Sequence, residues 1–289
     1  MNWIEAIVLG IVEGVTEFLP VSSTGHLTIV EKLFGLDIAS RDVTAFTAII
    51  QIGAIVAAIV YFWKDIVRLV VAWFSGLANK AKRSTDYRLG WAVIVGSLPI
   101  GFVGLALQNV IEGPLRSLWV VAGALILWSG VLFAADLFAS RRHAAALRGS
   151  GPGLRQEKDL TVLDGLIIGL CQCIALVPGV SRSGATISAA LFRGIDRTTA
   201  TRWSFFLGIP ALTASGVLQA VSAFDEVSVG VGWGPTIVAG VVSFVVAYIS
   251  IAWLLKFVSS NRFTAFVVYR VVIGLVIVAL LVFGVITAV

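Results

Sequence analysis

Six stretches of the chain run for about 20 residues or more almost without a charge: 43–63, 89–108, 117–135, 203–224, 227–255 and 263–289, the last broken only by Arg270. As helix, each is long enough to cross a hydrocarbon core of ~30 Å. Two shorter apolar stretches open the segments 3–35 and 162–194 and carry Glu5, Glu13, Glu17 and Asp164 among their apolar positions. Each stops at a cluster of Pro, Ser and Gly, Pro20-Val-Ser-Ser-Thr-Gly25 in the first and Pro178-Gly-Val-Ser-Arg-Ser-Gly184 in the second. A second short helix is predicted after each break.

These two segments are copies of one another. Laid without gaps, 3–35 on 162–194 pairs Glu5 with Asp164, Gly10 with Gly169, Glu13 with Gln172, Ser22 with Ser181, Gly25 with Gly184 and Gly35 with Gly194. Helices interrupted at corresponding places in two halves point to a site at the membrane midplane. Irregular backbone survives at that depth only where it lines a cavity or is buried in protein. Both segments are therefore expected to be re-entrant hairpins. Three crossings per half is an odd number, so the two halves have opposite orientations. The expected fold is an all-α polytopic membrane protein, an inverted-topology repeat of six transmembrane helices plus two re-entrant helix hairpins. It forms a single membrane domain over 1–289, with a first repeat over 1–139 and a second over 160–289.

Composition agrees with this reading. Only 13% of residues are charged and 58% are hydrophobic, too few polar side chains to cover a soluble globe. The net charge of +5 could suggest nucleic acid, but Lys and Arg gather in 64–90 and 140–160, between apolar runs. Outside termini put 64–90, 140–160, 193–202 and 256–262 inside and leave Lys32, Arg41 and Arg116 outside, as the positive-inside rule favours. Segment 64–75 reads as an amphipathic helix on the inner surface. Acidic residues early in the chain argue against a cleavable leader. Cys171 and Cys173, two apart on a helix, do not share a face, so they read as small packing residues. Gly96, Gly101 and Gly104 read as helix-packing positions, and Pro99 and Pro210 as kinks.

The chemistry lies in the polar residues at the breaks, because ionisable groups within apolar segments are functional candidates. Glu13 and Glu17 share a helix face and can converge on one cation; alternatively, one holds a proton for the other. Ser22, Ser23 and Thr24 at a helix start offer hydroxyls and backbone N–H groups to an anion. His26, three residues beyond Ser23, is close enough to take its proton, or else is a satisfied capping residue. Arg182, between Ser181 and Ser183 and followed by Thr186, carries a planar fork suited to phosphate; a structural ion pair with Glu13 or Glu17 is the alternative. Under the repeat alignment Glu17 meets Leu176, Ser23 meets Arg182 and His26 meets Ala185. One half thus holds the carboxylates and the imidazole and the other the phosphate clamp, as one composite site between the hairpins would require.

Glu13-Gly-Val-Thr-Glu17-Phe-Leu-Pro-Val-Ser-Ser-Thr-Gly-His26 together with Pro178-Gly-Val-Ser-Arg-Ser-Gly184 closely resembles the undecaprenyl-diphosphate phosphatase family, also called bacitracin-resistance proteins, over essentially the whole chain. The resemblance implies removal of the terminal phosphate of undecaprenyl diphosphate, which recycles the lipid carrier of cell-wall synthesis. It also implies a multi-pass enzyme of the bacterial inner membrane whose site opens to the periplasm, dependent on a divalent cation, Mg²⁺ or Ca²⁺. Glu13 and Glu17 form the acidic motif, Ser22, Ser23, Thr24 and His26 the hydroxyl and His motif, and Ser181, Arg182, Ser183 and Thr186 the Arg motif. The phosphatidic-acid-phosphatase-like enzymes share a Gly-His turn and a Ser-Arg pair, but their second His is Ser188 here. In the expected mechanism Ser23 attacks phosphorus or positions water, His26 is the base, Arg182 and its neighbours bind phosphate, and Glu13 and Glu17 hold the metal. The expected partners are the lipid substrate and membrane lipids, with no nucleic acid and with a homodimer left open. The rival reading is an inverted-repeat transporter or flippase of a prenyl phosphate or other anion.

Overall fold

The computed structural model of the protein describes residues 1–289 apart from 39, 114, 116, 223–229 and 289, and apart from the side chains of 109, 112 and 219–222. The described residues are helical, with no strand beyond a single bridge between Arg155 and Ile195. In chain order the helices are α1 (Trp3–Thr16), α2 (Ser23–Leu33), α3 (Arg41–Tyr61), α4 (Trp63–Ala78), α5 (Thr85–Ala106), α6 (Gln108–Glu112), α7 (Leu118–Leu147), α8 (Val162–Gln172), α9 (Arg182–Phe192), α10 (Arg197–Ser222), α11 (Trp233–Ser260) and α12 (Thr264–Val282).

Five of them, α3, α5, α7, α11 and α12, are long and apolar enough to cross a membrane. The remaining expected run, 203–224, falls on α10, and its last two positions lie outside the described residues, as do 227–229 of the run 227–255. The burial pattern is that of a protein in lipid: Leu127, Phe102 and Val241 point outward, while Ser129, Asp136, Ser243 and Arg270 are buried. The amphipathic segment is helical over α4. Its Arg68 pairs with Asp65 of the same helix at 3.2 Å, with Asp86 at the start of α5 at 2.9 Å and with Glu157 at 2.7 Å.

The two segments that match in sequence also match in backbone detail. Each first arm opens with a reciprocal capping box, Asn2 with Glu5 at α1 and Thr161 with Asp164 at α8, so the Glu5–Asp164 match is a helix start. Asp164 does more: it accepts from Arg155 Nη1 at 2.9 Å and from Arg193 Nε at 2.9 Å, tying the segment before α8 to the end of α9. Each second arm ends at a left-handed glycine, Gly35 with φ 71° and Gly194 with φ 74°. The residue after each closes the same bond, Leu36 N to Glu31 O at 2.9 Å and Ile195 N to Ala190 O at 3.1 Å.

Packing is crossed between the halves. α1 lies on α11 and α8 lies on α5, at positions where only glycine fits. A Cβ on Gly10 would stand 2.5 Å from the carbonyl oxygen of Ala239, and one on Gly169 would collide with that of Gly96. Without a hydrophobic drive between helices in lipid, such backbone contact supplies the attraction. Gly96 thus has the packing role expected of it. Gly101 does not, since a Cβ there would meet nothing, and Gly104 makes only ordinary contact. Pro99 and Pro210 lie inside α5 and α10. α7 and α12 pack on each other and enclose the breaks of both hairpins.

Candidate functional site

The breaks are strained. Ser22 and Ser181, equivalent in the alignment, have φ of 77° and 76° and are the non-glycine residues with positive φ among those described. A β-carbon pays for that conformation by about 1–3 kcal/mol, and such strain persists only where the surroundings impose it, typically at functional sites. Here the surroundings are identifiable. Arg270 of α12, fully buried, donates from Nη1 to Pro20 O at 3.0 Å and from Nη2 to Gly179 O at 3.0 Å, while its Nε reaches Ser129 Oγ on α7 at 3.1 Å. Pro20 and Gly179 are themselves equivalent positions, so one guanidinium fastens both breaks. Ser183 Oγ adds a second tie, donating to Leu19 O at 2.9 Å.

The joined breaks bring the residues of both motifs together. Ser23, the first residue of α2, donates its hydroxyl to Glu17 Oε2 at 2.6 Å. Gln51 of α3 approaches the same oxygen at 3.4 Å. Arg182 Nη2 stands 3.5 Å from Glu17 Oε1, an ion pair too long to be a good hydrogen bond. Its Nη1 donates to Ser204 O at 3.1 Å, while Nε and Nη2 are buried without a hydrogen-bond partner. Glu13 is buried beside this pair, and its Oε1 has no partner either. Unsatisfied buried donors and an unsatisfied carboxylate oxygen each cost of order 1–3 kcal/mol. Their neighbourhood fits an anion and a cation arriving together.

The remaining motif residues divide. Ser181 Oγ caps α9 by accepting from Gly184 N at 3.2 Å and lies 3.1 Å from Ser183 Oγ. Thr186 donates into α9 and α10, with Ser204 Oγ at 2.7 Å, so it supports the Arg182 turn. Thr24 is exposed. His26, expected beside the Ser23 hydroxyl, is held elsewhere: Nδ1 meets Ser22 O at 2.8 Å and Nε2 meets Tyr269 Oη at 2.7 Å. Ser23 turns to the carboxylate at the end of α1 because Glu17 and Ser23 flank the tight turn through Pro20.

Several residues of the site gave little or no sequence signal. Arg270 stood out as the single charge in its run, but its reach to two backbone carbonyls was not legible. Gln51, Ser204 and Tyr269 lie in apolar helices distant in sequence from either motif. Glu31, a third buried carboxylate of the first hairpin, accepts from Thr47 Oγ1 at 2.8 Å; it faces Ala190 in the alignment.

A divalent cation can be tested against this chemistry. Among the described residues no group of three or more His, Cys, Asp and Glu is placed to hold a metal. Mg²⁺, however, is commonly held by one or two carboxylates plus substrate phosphates, and the orphaned Glu13 oxygen beside Glu17 suits that arrangement.

Known proteins resemble this chain over its whole length. The chain is 60% identical to the undecaprenyl-diphosphatase of Cutibacterium acnes, with both chains covered in full. It is 54% identical to undecaprenyl-diphosphatase 3 of Frankia casuarinae, again over the full length of both, and 52% identical to undecaprenyl-diphosphatase 1 of Streptomyces avermitilis over 98% of each. Residues 6–276 match the family described as bacitracin resistance protein BacA, and with the motifs of both breaks inside that match, the chain belongs to this family.

Proposed function

We propose that this protein is an undecaprenyl-diphosphate phosphatase, hydrolysing the terminal phosphate of the lipid diphosphate to give undecaprenyl phosphate and inorganic phosphate. In the cell this recycles the lipid carrier of wall synthesis and confers resistance to bacitracin. The observation that carries the reading is the open pair Arg182–Glu17 with the Ser23 hydroxyl bound to the same carboxylate at 2.6 Å. An ion pair built for structure alone would close and satisfy both partners; this one leaves two buried guanidinium nitrogens free.

The steps follow from those positions. The diphosphate sits between the breaks with its prenyl chain in the bilayer. Arg182 Nε and Nη2 take phosphate oxygens and the charge that spreads over them in a loose transition state. Ser23 Oγ forms a bond to the terminal phosphorus as the bond to the prenyl phosphate oxygen breaks, and its proton passes to Glu17 Oε2. Glu17 passes that proton to the departing prenyl phosphate; water then attacks the phosphoseryl phosphorus, giving a proton to Glu17, which returns it to Ser23 Oγ as the P–Oγ bond breaks. Ser181, Ser183 and Thr186 hold the Arg182 turn. A divalent cation held by Glu13 and Glu17 would neutralise phosphate charge when bound. The equivalent caps, strained serines and crossed packing support an inverted repeat over 1–139 and 160–289, and the distribution of Lys and Arg supports an outward-facing site in the inner membrane.

Purified protein in detergent is expected to release phosphate from undecaprenyl diphosphate, and to stop when chelator is added. With the terminal phosphate labelled, acid quenching is expected to trap label on Ser23 and none in Ser23→Ala. No release in detergent combined with counterflow in liposomes would instead favour a transporter.

A further inference from the structure

In the second hairpin the strained Ser181 holds its own turn, because its side chain caps α9 through Gly184 N. In the first hairpin Ser22 makes no such side-chain bond. There the imidazole of His26 bonds the turn from its carbonyl side instead: Nδ1 lies 2.8 Å from Ser22 O, which also accepts the His26 backbone N–H at 3.3 Å. A carbonyl oxygen only accepts, so Nδ1 carries a proton. In the neutral ring Nε2 is then a bare acceptor, and it faces Tyr269 Oη at 2.7 Å, whose hydroxyl donates to it. The two rings are parallel within 7°, with centroids 5.5 Å apart. His26 is buried, while Tyr269 is 42% exposed, so burial of Tyr269 is not what this contact serves.

We propose that Tyr269 is a positioning residue of the phosphatase site. It locks His26 as the Nδ1–H tautomer and through that ring holds the Ser22 turn, which sets the position of the adjacent nucleophile Ser23. The chain of bonds runs from α12, Tyr269 O–H to His26 Nε2 and His26 Nδ1–H to Ser22 C=O, into the strained residue next to Ser23. It also explains why the alignment pairs His26 with Ala185: the second hairpin needs no imidazole, since Ser181 caps its own helix. The ring nitrogens of His26 are both engaged, so its part in the reaction is to orient Ser23 rather than to take its proton. This rests on the assignment of Ser23 given above, and its test has one arm that does not depend on turnover.

The chain has two histidines, and His143 is exposed at the inner end of α7. In a His143→Gln background with ¹⁵N-labelled histidine, His26 is the one imidazole observed. The expected spectrum has a protonated Nδ1 and an unprotonated, hydrogen-bonded Nε2. Tyr269→Phe, which keeps the ring, is expected to move the Nε2 resonance to the position of a free acceptor and leave Nδ1 protonated. In the same variant kcat falls about tenfold with KM little changed, since a slightly misplaced nucleophile loses rate rather than binding. Folding is monitored by the elution profile and by the retained Nδ1 signal. A protonated Nε2 in the parent protein, an Nε2 resonance indifferent to Tyr269→Phe, or full kcat in that variant would each overturn the proposal. The expected spectra without phosphate release in the parent protein would overturn the phosphatase reading and leave the tautomer lock standing.

Discussion

The two hairpins share a backbone and divide the chemistry. Both begin with a capping box, break at a serine of positive φ and end at a left-handed glycine. At matched positions the first carries Glu13, Glu17, Ser23 and His26, where the second carries Gln172, Leu176, Arg182 and Ala185. Two matched segments thus supply two strained turns, and Arg270 fastens them together. Once they touch, neither has to hold every group the reaction needs. The carboxylates and the hydroxyl face the guanidinium across the contact, and a phosphate oxygen can meet both.

The comparison can be broken most strongly at Arg182. Arg182→Ala is expected to lower kcat/KM by about 10³-fold, the scale of losing an arginine that stabilises a transferring phosphoryl group. The elution profile and Tm should change little, because Arg182 makes one hydrogen bond to the protein. Wild-type phosphate release in that variant would remove the phosphate clamp from the second hairpin. Arg270→Met tests the fastening instead. It orphans the carbonyls of Pro20 and Gly179 at a cost of roughly 1–3 kcal/mol each, so Tm should drop substantially and activity should fall with it, in contrast to Arg182→Ala.

Glu13→Gln makes the first hairpin resemble the second, where Gln172 stands. An expected loss of about 10²-fold in phosphate release, partly offset by raised Mg²⁺, would sharpen the division of labour; an unchanged metal dependence would take Glu13 out of the cation site. The smallest effects separate the two strained serines. Ser181→Ala removes a helix cap and should cost about 1 kcal/mol, whereas Ser22→Ala, with no cap bond to lose, should stay within about 0.5 kcal/mol. Thermal melts of the two variants in one detergent measure the difference.

Much of this was open to reading in the chain. The six apolar runs, the matched segments and the clusters at Pro20 and Pro178 follow from local composition and spacing, because a helix in lipid must be apolar and a break must be made by residues that end helices. The polar residues of the motifs could be picked out for the same reason, since an ionisable group in an apolar segment has a cost that function must explain. Their partners could not. The spacing of Ser23 and His26 suggested a proton transfer between them, yet Glu17 takes the hydroxyl across the turn and Tyr269 takes the imidazole from a helix more than two hundred residues away.

By itself, then, the sequence determined the class of molecule, the pair of matched segments, and which polar side chains stand at their breaks, because hydrophobic period, helix-ending residues and charge scarcity are properties of neighbours along the chain. Only the tertiary structure decided that the breaks touch, that Arg270 joins Pro20 to Gly179, and that Arg182 stops short of Glu17. Those are contacts between distant segments, set by how closely glycines such as Gly10 and Gly169 let the helices approach.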